Sequence, residues 1–209
     1  MSAPRSTSTR DLPARVVVLA SGIGSLLRSL VDAASSPEYP ADVVAVVVDR
    51  PCGAESVGVP CSRIAPADYD DRGAWDVALA DAVAVHEPDL VVSAGFMRIL
   101  GPAFLSRFGG RVVNTHPALL PSFPGAHAVA DALAHGVKVA GSTVHLVDHG
   151  VDTGPILAQE AVPVLDGDDE ESLHERIKIV ERRLLIDVVA AVAARGVITD
   201  GRKAQIPSE

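Results

Sequence analysis

The sequence predicts an α/β fold. It is three-layered, with a mostly parallel twisted sheet, helices on both faces, and an antiparallel strand pair toward the C-terminal half. Three observations carry this reading. Short, continuous β-branched runs such as Val16–Ala20 and Val43–Val48 have the pattern of parallel strands buried on both faces. Helix-spaced segments alternate with them, giving β-α-β-α-β-α-β as far as residue 115. Hydrophobic residues make up 48% of the chain but aromatics only 3%, so the core is built from Ala, Val, Leu and Ile, which favours close α/β layers over an aromatic-rich sandwich.

Each element follows from local pattern. Val16–Ala20 is the first strand, and Ser21-Gly22-Ile23-Gly24-Ser25 turns it into a helix over Leu26–Ala34. Ser35-Ser36-Pro37 stops that helix, and Val43–Val48 is the second buried strand. A looser stretch with Pro51, Gly53, Gly58 and Pro60 leads to a short strand at Cys61–Ile64. Arg72–His86 has helical spacing, with Trp75, Leu79 and Val83 on one face. Leu90–Ser93 is a strand that ends in the loop AGFMRILG. Pro102 opens a short helix to Phe108, and Val112–Thr115 is the next strand.

The pattern then changes. Ala128–His135 is a helix, and Ser142–Val147 and Ile156–Val164 are longer strands expected to pair antiparallel at one side of the sheet. Ser172–Arg195 is a long amphipathic helix, preceded by acidic residues where the helix dipole favours them. The tail VITDGRKAQI predicts a small hairpin around Asp200-Gly201.

Composition bounds the function. A chain of 209 residues holds one good-sized domain. Net charge of −9 argues against general nucleic-acid binding, and the scarcity of aromatics leaves no base-stacking surface. No run reaches membrane-spanning length, and the polar start lacks a signal-peptide core. Residues 1–14 read as a disordered extension. Cys52 and Cys61 form no CxxC motif, so reduced thiols in a cytoplasmic protein fit better than a disulfide framework or structural zinc.

Two motifs carry chemistry. A glycine turn between a buried strand and a helix N-terminus presents backbone N–H groups and partial positive charge, so SGIGS is a candidate phosphate site. The competing reading is a dinucleotide site, with Gly22-Ile23-Gly24 opening a GxGxxG motif and Asp49 as the ribose-binding acid. Leu27 stands where the third glycine belongs, and no GK[ST] follows to make a P-loop. A plain tight turn is the bland alternative.

The second motif is NTHPALLPSFPGA, residues 114–126. Alternation along a strand puts Asn114 and His116 on one face, and Pro117, Pro121 and Pro124 stiffen the backbone after them. An amide suits a developing oxyanion, and an imidazole suits proton transfer near neutrality. Such a pair needs an acid, and the loop VDHGVDTGP offers Asp148 and Asp152. The bland alternatives are a strand-end histidine and a loop aspartate bonded to local backbone. The remaining histidines form no HExxH or HxH pair, so no metal site is expected.

Together, SGIGS, AGFMRIL, NTHPALLPSFPGAHAVADAL and GSTVHLVDHGVDTGPIL resemble, in order and spacing, the folate-dependent phosphoribosylglycinamide formyltransferase family. The resemblance runs over about residues 15 to 195. It implies a single formyltransferase domain over 15–209, with a Rossmann-like sheet. Asn114, His116 and Asp152 match the family's catalytic trio. Gly24, Ser25 and Leu26 match the substrate-phosphate turn, although many members have Asn where this chain has Leu26. Lys178 and Glu181 match the helix segment that completes the ribonucleotide site. Arg72, Met97, Arg98, Ile99 and Leu100 match formyl-folate contacts, as does the loop Asp148, His149, Gly150, Val151.

The implied reaction is attack of the phosphoribosylglycinamide amine on the formyl group of 10-formyltetrahydrofolate, used as cosubstrate without a metal. The implied partners are these small molecules, with no nucleic acid and no membrane. A homodimer is compatible with the resemblance, and the apolar 183–193 face fits either core or interface. Formyltetrahydrofolate deformylase shares the trio, but usually carries an N-terminal regulatory domain and tends to have a second histidine where this chain has Pro117. Methionyl-tRNA formyltransferase carries a further C-terminal domain. A non-catalytic formyl-folate-binding module and a nicotinamide-dependent dehydrogenase are the readings from other classes.

Overall fold

The computed structural model describes residues 12–208. Strands β1 (Ala14–Ala20), β2 (Ala41–Val48), β3 (Cys61–Arg63), β4 (Leu90–Ser93) and β5 (Val112–His116) all run parallel. They are followed by β6 (Val139–Leu146), β7 (Ile156–Pro163), β8 (Ile198–Asp200) and β9 (Lys203–Gln205). The sheet order is β3-β2-β1-β4-β5-β6-β7-β9-β8. Its parallel part, 3-2-1-4-5, has the Rossmann-like reversal between β1 and β4. Ligands bind at such a switch point, beyond the C-terminal strand ends.

Alternating side chains divide the core into two layers. Val16, Val18, Val46, Val92 and Val113 face α1 (Ser25–Ala34) and α5 (Glu170–Arg195). Val17, Leu19, Val47, Val91 and Val112 face α2 (Arg72–Ala84) and α3 (Pro102–Phe108). Trp75, Leu79 and Val83 are fully buried, as their spacing predicts. Leu185, Val188, Val189 and Val192 lie in the first core layer, so the 183–193 apolar face of α5 serves the core. A smaller cluster joins α4 (Ala128–Ala134) to β6, β7 and α5 through Val129, Ala140, Val162, Leu173 and Ile177.

The sheet stops being parallel at β6. β6 pairs antiparallel with both β5 and β7, which is the expected antiparallel pair. β6 begins at Val139 rather than Ser142, because β7 accompanies it from the Val139↔Pro163 pair onward. Three other boundaries extend for similar reasons. Ala14, expected in the extension, is the first residue of β1, because β2 reaches back to Ala41 and gives it a partner. Of the expected extension, residues 1–11 lie outside the described residues. His116 belongs to β5, paired with Thr143. α5 starts at Glu170, because Asp169 accepts from the Ser172 N–H at 2.9 Å while the Ser172 hydroxyl accepts from the Asp169 N–H at 3.0 Å. β8 and β9 form the predicted hairpin.

Candidate active site

A cleft of about 670 Å³ opens at the switch point, within the usual range for small-molecule sites. It is lined by the glycine turn after β1, the loop after β4, the end of β5, the loop after β6 and the first half of α5.

The polar centre grows out of the β5–β6 pairing. In that register Asn114 stands opposite His145 and His116 opposite Thr143. The Asn114 Nδ2 donates to His145 Nε2 at 3.2 Å, and His145 Nδ1–H donates to the Leu146 carbonyl at 2.9 Å. These partners assign the His145 tautomer. His145 Nε2 also lies 3.6 Å from Asp152 Oδ1. Asp152 Oδ2 accepts from the Gly125 N–H at 2.8 Å and faces His116 Nδ1 at 3.3 Å. The Nε2–H of His116 donates to the Phe123 carbonyl at 2.8 Å. Both ring nitrogens of His116 therefore face acceptors.

Burial by itself pushes the Asp152 carboxyl up. The neighbouring His145 ring, the Gly125 amide and the His116 ring outweigh it and hold the group below the usual carboxylate value. Asp152 sits at φ 53°, a strained conformation held by these contacts. Gly154 makes the loop possible, since a Cβ there would lie 1.7 Å from the Leu146 carbonyl oxygen. Asp148 is bound within the loop, accepting from Thr153 Oγ1 at 2.6 Å and from the Gly150 N–H at 3.0 Å. Thr143 pins the proline turn, donating to the Ala118 carbonyl at 2.6 Å and accepting from the Leu120 N–H at 3.1 Å.

One arm of the cleft is built for an anion. Gly24 is the N-cap of α1 at φ 79°, and a Cβ there would meet the Ala54 backbone at 2.9 Å. The first N–H groups of the ten-residue α1 open toward the cleft wall formed by Gly24, Ser25 and Leu26. Leu26 packs on the core, so its side chain offers no polar contact. Lys178, Glu181, His174 and Arg182 of α5 line the same cleft. Burial pushes the Glu181 carboxyl up, partly offset by a hydrogen bond from Thr115 and by Lys178 and Arg182.

The other arm is apolar, from Met97, Ile99, Leu100 and Val151, with Arg98 among them. Met97 and Ile99 are exposed, while Leu100 is buried.

Most of the residues picked from the sequence converge here. Two do not line the cleft. Arg72 lies behind it, stacked over Trp75 at 4.5 Å with its guanidinium on the Ile99 carbonyl, so it buttresses the loop after β4. His149 is exposed at the tip of the loop after β6. The ribose-binding reading of Asp49 also fails on geometry. Its carboxylate is fully buried outside the cleft lining, paired with Arg98 Nε at 2.7 Å and with Arg50 at 3.0 Å. Sequence reasoning missed His145. The available signal was its parity with Asn114 across two strands, which needs the register to be known. Among the described residues, no group of three or more His, Cys, Asp or Glu side chains could hold a metal ion.

The chain is similar to several known proteins. A family model described as Formyl transferase matches residues 14–189. The chain is 69% identical over 196 residues to a Mycobacterium tuberculosis phosphoribosylglycinamide formyltransferase, covering 92% of this chain and 91% of that protein. It resembles the crystal structure of glycinamide ribonucleotide transformylase 1 from Symbiobacterium toebii with a TM-score of 0.92 at 40% identity, covering 97% of this chain and 100% of that one. A formyltetrahydrofolate deformylase from Pseudomonas syringae is more distant in sequence, at 28% identity and a TM-score of 0.86. That match covers 94% of this chain but 66% of the deformylase.

Proposed function

The chain belongs to the formyl transferase family, and from that premise we propose direct transfer between two small molecules held in the two arms of the cleft. The enzyme moves a formyl group to the amine of phosphoribosylglycinamide, a step of purine synthesis. The formyl donor is of folate type, and the finer reading is 10-formyltetrahydrofolate as cosubstrate with no metal. One observation carries the mechanism: the Asn114–His145–Asp152–His116 cluster stands between an anion-suited arm and an apolar arm of one cleft.

The α1 N-terminus with Gly24, Ser25 and the backbone of Leu26 takes the phosphate, aided by Lys178, while Glu181 accepts from ribose hydroxyls. Met97, Ile99, Leu100 and Val151 suit the flat folate ring, and Arg98 its polar edge. Asp148 and Gly150 shape that wall. The folate-contact roles of Arg72 and His149 become indirect, because neither lines the cleft.

When bound, the formyl folate supplies an electrophilic carbon within reach of the amine. As the amine attacks, negative charge gathers on the formyl oxygen. Asn114 carries two N–H groups; one is on His145, and the second donates to that oxygen. In its protonated form the His116 ring, held between Asp152 and the Phe123 carbonyl, stabilises the same charge through its field. The amine must lose a proton and the leaving N10 must gain one. A water, or His116 once its Phe123 contact opens, relays it. The two free thiols, Cys52 and Cys61, support a cytoplasmic setting. A homodimer, with neither nucleic acid nor membrane as partner, belongs to the same reading and rests on family resemblance.

The test mixes the protein with 10-formyltetrahydrofolate and follows the folate product by absorbance, with and without phosphoribosylglycinamide. Turnover that requires phosphoribosylglycinamide, abolished in His116→Ala, is expected. Equal turnover without it would move the assignment to the deformylase. No turnover in either case sinks the catalytic roles.

A further inference from the structure

Asp49 ends β2 and takes no part in the chemistry above, yet its carboxylate is fully buried. A buried carboxylate persists only when paired and hydrogen-bonded. Here the partners are informative. Arg98 Nε–H donates to Asp49 Oδ2 at 2.7 Å, and Arg50 donates to the same oxygen at 3.0 Å. The Ser21 hydroxyl hydrogen-bonds the same carboxylate and accepts from the Met97 N–H at 2.9 Å. The Ser21 N–H in turn donates to the Gly95 carbonyl at 3.3 Å.

Two consecutive residues of the apolar arm thus hang on one buried node. Arg98 is held by its side chain and Met97 by its amide. Ser21, which makes the second link, is also the residue from which the Gly22–Gly24 turn departs. The node therefore joins the arm for the formyl donor to the arm for the phosphate.

We infer that Asp49 is a positioning residue: it fixes Arg98 and, through Ser21, Met97 for the formyl donor, and ties that loop to the phosphate turn. The inference rests on the functional reading above. Arg98 is a long side chain, 38% exposed, and without an anchor its freedom must be given up when ligand binds. Holding it beforehand lowers that cost, so the effect falls on binding of the donor rather than on the chemical step.

Asp49→Asn keeps the shape and removes the charge. Wild-type turnover with both substrates is measured first; its absence would strike the functional reading and the inference with it. Given that turnover, the variant is expected to raise KM for formyl folate about tenfold and to change kcat by no more than about twofold. The second readout is a double-mutant cycle with Arg98→Gln. If Asp49 acts through Arg98, adding Asp49→Asn to Arg98→Gln costs little more. A fall in Tm with unchanged KM, or losses that simply add in the double variant, overturns the inference. Should Asp49→Asn fail to fold, Ser21→Ala removes the Met97 anchor instead. It is expected to raise the folate KM about threefold, and an unchanged KM there overturns the link.

Discussion

The His116 Nδ1 lies 3.3 Å from Asp152 Oδ2, with both side chains nearly buried, while the opposite nitrogen of the ring holds the Phe123 carbonyl. The imidazole is thus clamped between a charge and a dipole. Because the Asp152 carboxyl is held below the usual value, its charge is present through neutrality and is lost only as pH falls below the ordinary carboxylate range. Asp152→Asn is therefore expected to lower kcat about 10²-fold or more between about pH 6 and 8, with smaller changes in KM. Steady-state kinetics at three pH values check it. A variant whose kcat recovers fully at any of them contradicts the assigned role.

His145 orients the amide of Asn114 from a buried position. His145→Ala leaves that amide short of a partner. The expected cost is about 1–3 kcal/mol in stability, and about tenfold to a hundredfold in kcat. Urea unfolding alongside turnover separates the two. A stability loss with full kcat would make His145 purely structural.

Gly154 has no room for a side chain, and the atom it would strike is the Leu146 carbonyl that receives the His145 N–H. Gly154→Ala should therefore damage activity through the loop. A loss of about 1–3 kcal/mol in stability is expected, with a fall in kcat. Thermal melts and kinetics together test this, and an unchanged Tm would show that the loop yields freely.

Glu181 is a different case, because burial raises its carboxyl. Such a group opposes folding as pH rises through the ordinary carboxylate value, where the unfolded chain ionises more readily. Glu181→Gln should leave stability at about pH 8 unchanged or higher. It should also raise KM for phosphoribosylglycinamide about tenfold and leave the folate KM alone. A fall in stability at that pH would show that Glu181 is held charged by Lys178 and Arg182.

The fold was legible because its strands are continuous apolar runs with helical segments between them, a pattern set by burial on two faces. The proposed catalytic trio could be picked out because Asn114 and His116 share a strand and Asp152 stands in a short glycine-containing loop. His145 was hidden, because a histidine inside a β-strand becomes informative only when its cross-strand neighbour is known. Arg72 is a related case: its cation turns to Trp75 and the Ile99 carbonyl, which its place in the sequence does not reveal. Asp49 looked like a ribose acid from its place at a strand end. Which way a carboxylate points there depends on which arginines are near in space.

The antiparallel step from β5 to β6 has a consequence for how this chain can tolerate length changes. Asn114 meets His145 through strand pairing, not through the connecting segment 117–138. Residues added near the end of α4, around 135–137, would leave that meeting intact. A single residue deleted within β6 between Thr143 and His145 would break it. It would turn one of them to the opposite face of the sheet, so that either the amide loses its imidazole or the proline turn loses its pin. Insertions and deletions in homologous chains should therefore crowd into the connection and spare the strand.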